Sequence, residues 1–73
     1  MRLFGYKRKE VSKGLLEMRE VTVCCDPDEL RKLAAFISTC ADAMAKDPGR
    51  WDHDHFAIQE ETQFIIGNPK KLK

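Results

Sequence analysis

The chain has 73 residues, with 13 Lys and Arg against 12 Asp and Glu, for a net charge of +1. A chain of this length forms one domain with a thin core, burying roughly 60% of its unfolded surface. The charge balance gives no electrostatic case for nucleic acid or an anionic membrane as a partner, no apolar run nears the ~20 residues that span a bilayer, and three cysteines make no paired disulfide framework.

The first segment, Leu3-Phe4-Gly5-Tyr6-Lys7-Arg8, is aromatic-rich and reads as a strand. No signal-like apolar segment precedes its charges, so the expected compartment is the cytoplasm. Glu10 to Gly14 reads as a loose connection, with Ser12-Lys13-Gly14 as turn residues. Leu15 to Cys25 reads as a second strand with an internal conflict. Leu16 and Met18 share one parity, whereas Val21, Val23 and Cys25 share the other. One extra residue would reconcile them, so a bulge or sharp twist is expected near Arg19-Glu20. Without it, both faces would be partly covered and a partner would sit on the second.

Asp26 to Lys46 is the longest periodic stretch. Leu30, Leu33, Ala34, Ile37, Cys40, Ala41 and Met44 recur at helical spacing, with Phe36 widening the stripe. Asp26 suits the N-cap, Pro27 the first helical position and Glu29 the third. Asp47-Pro48-Gly49 ends the pattern. Twenty residues give about 30 Å of helix, enough to cross a small sheet. The cysteines, Cys24, Cys25 and Cys40, read as small apolar fillers. After the turn at Pro48-Gly49-Arg50-Trp51 come Asp52-His53-Asp54-His55 and then Phe56 to Gln59, a short strand or an irregular segment. Gln63 to Ile66 reads as the last strand. Residues 68–73 read as a mobile basic tail of the single domain 1–73.

These pieces predict an α+β fold, a small two-layer domain of order β-β-α-β or β-β-α-β-β. One antiparallel sheet of three to four strands, ordered second, first, last, would carry the long helix on one face. The uncovered sheet face would meet a second copy, in a homodimer, or another partner.

Concentrated polar chemistry occurs once, at Trp51, Asp52, His53, Asp54 and His55. In an extended segment His53 and His55 point to one side, as two ligands of a zinc or nickel site would, but no further His exists to complete one. Acid–base catalysis by a histidine would need an orienting partner and a pocket. The third reading is recognition, with Trp51 as an interface anchor. No phosphate loop and no nucleophile motif is present, so neither an enzyme nor a cofactor is expected. A self-associating structural subunit is a further alternative.

The order of Leu3-Phe4-Gly5-Tyr6, Leu15 to Thr22, Pro27-Asp28-Glu29-Leu30-Arg31, Ala41 to Met44, Asp52 to His55 and Phe64-Ile65-Ile66 resembles the immunity protein 32 family. The resemblance covers most of residues 2–67. Its most specific parts are the Pro-x-Glu-Leu-Arg helix start and the His-x-His pair just beyond the helix. It implies a non-enzymatic bacterial protein of a polymorphic toxin system that binds and neutralises a cognate toxin domain.

Overall fold

A computed structural model describes residues 1–57 and 61–71. The elements run β1 (Arg2–Ser12), β2 (Leu15–Cys24), α1 (Pro27–Lys46), β3 (His53–Phe56) and β4 (Phe64–Gly67). The α+β class and the β-β-α-β-β order hold. The single sheet does not: the strands pair as two separate antiparallel hairpins, β1–β2 and β3–β4. Each strand pairs with its sequence neighbour, which closes the shortest loops and leaves the outer edges unjoined.

The β1–β2 connection is tighter than its composition indicated. Ser12 pairs with Leu15, so Lys13 and Gly14 alone make the turn. Gly14 permits this with a φ of +76°, a conformation that a side chain would strain. Within β2 the expected bulge is present. Tyr6 pairs with Glu20 and Lys7 with Met18, which leaves Arg19 as the extra residue. The parity conflict is thereby removed. Leu16, Met18, Val21 and Val23 lie on one face, together with Leu3 and Gly5.

Helix α1 is capped as its sequence dictates. The Asp26 carboxylate accepts from the Glu29 N–H at 2.8 Å, and Pro27 opens the helix. The Glu29 side chain pairs with the Met1 ammonium at 3.1 Å. At the far end the Asp47 N–H donates to the Ala43 carbonyl. The buried stripe is rotated from the expected one. Leu33 and Cys40 are buried at 5% and 2% exposure, with Phe36, Ala43 and Met44 half-buried beside them. Leu30 and Ile37 are exposed. Rotation follows from the covering layer: the Phe36 ring meets Phe56 of β3 at 5.4 Å, so the core forms against the short hairpin. Of the three cysteines, only Cys40 is a buried filler. Cys24 is exposed and Cys25 half-buried.

The chain leaves the helix through a turn in which the Trp51 N–H donates to the Asp47 carbonyl at 2.9 Å. The strand that follows is the His-x-His segment itself, ending where Ala57 takes a φ of 63°. Residues 58–60, part of the stretch whose strand character the sequence left open, lie outside the described residues, as do residues 72–73 of the basic tail. Asn68, where that tail was expected to begin, is buried and fully bonded. No helix among the described residues is long and apolar enough to cross a membrane.

Candidate functional site

The candidate site is built on the β3–β4 hairpin. Antiparallel partners share a face. His53 pairs with Gly67 and His55 with Ile65, whereas Asp54 pairs with Ile66 and Phe56 with Phe64. Phe56 packs on Phe36 of α1, so the Asp54–Phe56 side looks toward the helix and the histidine side looks away from it. A four-residue strand thus sorts its residues by parity alone: apolar Phe56 inward, the imidazoles outward.

On the outward side the two rings stand edge to face, 5.0 Å apart. His53 Nδ1 lies 3.3 Å from the Asp52 carboxylate. His55 Nδ1 lies 3.0 Å from the Gln63 side-chain oxygen and donates to it. The His55 ring thus has one nitrogen held by an oxygen acceptor, whereas His53 stands beside a carboxylate with both side chains exposed. The Asp54 carboxylate accepts from the His55 backbone N–H at 2.8 Å. It also acts across the core. Burial pushes the Cys40 thiol above its ordinary 9.0, and the Asp54 charge adds to that shift.

Beside His53 opens a cavity of about 650 Å³, lined by Leu15, Asp52, His53, Ile65, Asn68 and Lys71 among others. Ile65 and Leu15 are exposed apolar side chains on its walls. Asp52 and Lys71 supply one charge of each sign. Leu15 comes from the tip of the long hairpin, so the cavity lies where that tip meets the short one.

Asn68 holds the floor. Its amide nitrogen donates to the carbonyls of Pro48 and Trp51 at 2.9 and 2.7 Å, and its side-chain oxygen accepts from the Lys70 N–H at 3.0 Å. Its backbone N–H donates to the Asp52 carbonyl at 2.8 Å. These bonds tie the post-helix turn to the end of β4 and so place Asp52 and His53.

Of the five residues singled out by sequence, Asp52 and His53 line the cavity. His55 shares the face of His53, Asp54 lies on the reverse face, and Trp51 is half-buried in the turn. Leu15, Ile65, Asn68 and Lys71 were not anticipated. The structure brings the two imidazoles together, but among the described residues no group of three or more His, Cys, Asp or Glu side chains converges on a point. The metal alternative gains no support from this arrangement.

A family comparison decides the relationship. The immunity protein 32 profile matches residues 20–69. The chain belongs to the immunity protein 32 family. The match takes in the end of β2, all of α1 and the whole β3–β4 hairpin with its turns. It begins later than the resemblance read from sequence, so β1 and the first half of β2 fall outside it. Comparison with curated proteins and with solved structures finds no match.

Proposed function

We propose that this chain is a non-enzymatic immunity protein of a bacterial polymorphic toxin system, which acts in the cytoplasm by binding and neutralising a cognate toxin domain. The observation that carries this reading is the family match, which contains the β3–β4 face and its cavity except for the Leu15 and Lys71 walls. Trp51, Asp52, His53, Asp54 and His55 form the toxin-binding segment, extended by Ile65 and Lys71. An exposed Ile65 beside two imidazoles, rimmed by opposite charges, supplies both an apolar anchor and hydrogen-bonding groups. Asp54 serves from the reverse face by fixing the His55 backbone. With a net charge of +1, recognition rests on shape and hydrogen bonds rather than on charge mimicry of a nucleic acid. Cys40 is a poor nucleophile, being buried with a raised pKa, which fits a binding role.

Co-expression with each toxin encoded beside the gene tests the proposal. The protein should protect the cells and co-purify with one of those toxins. A His53→Ala/Ile65→Asp variant, altered only at exposed positions, should fold normally and lose both properties. Absence of binding and protection with every neighbouring toxin would falsify the assignment.

A further inference from the structure

The long β1–β2 hairpin is the part of the molecule that its own chain leaves bare. Its bulge gathers Leu3, Leu16, Met18, Val21 and Val23 on one face, with Lys7 and Glu10 along the distal rim. Only Leu3 and Val23, near the base, are half-buried. Val21, Leu16 and Met18 are 54, 43 and 37% exposed. The reverse face is different in kind. There Phe4 and Tyr6, 48 and 63% exposed, lie against the guanidinium groups of Arg2 and Arg19 at 4.8 and 5.8 Å, so each exposed ring already has a charged partner from its own chain. Helix α1 adds Leu30 and Ile37, apolar positions that its own chain leaves exposed.

The excess can be measured. The chain exposes 6103 Å². A compact monomer of 8.4 kDa exposes about 4,600 Å². The surplus, about 1,500 Å², is nearly twice the roughly 800 Å² that each partner gives to a standard interface, and it falls in the obligate-dimer range. The radius of gyration, 13.3 Å, likewise exceeds the about 11 Å of a compact chain of this length. A two-stranded hairpin with both faces in water is marginal by itself.

We infer that a second copy of the chain covers this surface, in a symmetric dimer whose core is Leu16, Met18 and Val21 of each hairpin with Leu30 and Ile37 of each helix. The surplus belongs to the folded chain by itself, and its size is that of the area one protomer gives to an obligate dimer. The patch is aliphatic at its centre, as obligate homodimer interfaces are, and a net charge of +1 sets up little repulsion between copies. Packing is face to face. Lys7-Arg8-Lys9 and the extra residues Arg8 and Val11 interrupt the β1 edge, and the Arg19 bulge interrupts the β2 edge, so neither invites strand addition. The inference does not depend on the toxin assignment, because most of the hairpin precedes residue 20 where the family match begins.

Sedimentation equilibrium of the full chain, from low to high micromolar, tests it. The expected mass is twice 8.4 kDa, with a thermal midpoint that rises with protein concentration. Val21→Glu and Ile37→Glu, on different elements, should each weaken the dimer at least about a hundredfold by burying unpaired charge. A wild-type monomer at high micromolar with native helical circular dichroism overturns the inference. A dimer indifferent to both variants overturns the assigned surface. If the Glu variants fail to fold, Val21→Thr decides: it places two buried hydroxyls in a symmetric interface and should weaken the dimer about tenfold, and an unchanged constant refutes the proposal.

Discussion

Among the described residues, Asn68 is the polar position whose replacement with alanine should be most damaging. Asn68 is 3% exposed and makes three side-chain hydrogen bonds, two donated to the Pro48 and Trp51 carbonyls and one accepted from the Lys70 N–H. At about 0.5–1.5 kcal/mol net for each bond, with partners left partly buried, Asn68→Ala should cost about 2–4 kcal/mol. A domain of this length has only about 4–11 kcal/mol in total. The thermal midpoint, followed by circular dichroism at one protein concentration, should fall by roughly 10–25 °C. Asn68→Asp sharpens the test. It keeps the acceptor for Lys70 but turns an oxygen toward two carbonyls, so at neutral pH it should be at least as destabilising as alanine. Acidification protonates the carboxyl, returns one donor and should regain part of the loss. If both variants stay within about 0.5 kcal/mol of wild type, the pinning role given to Asn68 is wrong.

Four further outcomes can be measured. Asp26→Ala removes the acceptor for the Glu29 N–H and should cost about 1 kcal/mol, a midpoint loss of roughly 4–8 °C, whereas Asp26→Asn should recover most of it. A Cβ at Gly5 would run into the Glu20 backbone oxygen and the Met18 methyl, so Gly5→Ala should destabilise by about 1–3 kcal/mol in denaturant melts and reduce protection of the β1–β2 amides in hydrogen exchange. The Cys40 thiol titrates above 9.0 when folded, so at alkaline pH the native state keeps a proton that the unfolded state has lost. Its contribution is complete below pH 9 and declines as pH rises through the folded value. Melts taken across that range should lose stability in wild type, and Cys40→Ala should lose less. Ellman's reagent should label exposed Cys24 first and reach Cys40 only on denaturation.

What was legible in the sequence was what neighbouring residues settle between themselves. The helix from Pro27 to Lys46 is declared by its periodicity and by a cap whose donor and acceptor are three residues apart. The bulge at Arg19 was readable because a parity break along one strand is a local contradiction with one cheap solution. The shared direction of His53 and His55 follows from strand alternation. The Gln63–Phe64 boundary and the early start of β3 were less clear, since four-residue strands carry too few alternations to mark their ends.

The sequence by itself determined the helix, its caps, the bulge and the α+β class. Tertiary structure alone decided that the four strands form two hairpins, that Leu33, Phe36 and Cys40 rather than Leu30 and Ile37 face the core, and that Asn68 is buried and bonded to Pro48, Trp51 and Lys70. The reason lies in the range of the interactions. Caps and periodicity act within a turn or two of chain, and their energetics are visible in a short window. Which face of a helix is covered, and which carbonyls an asparagine reaches across 17 and 20 residues, depends on how distant segments share a limited apolar surface.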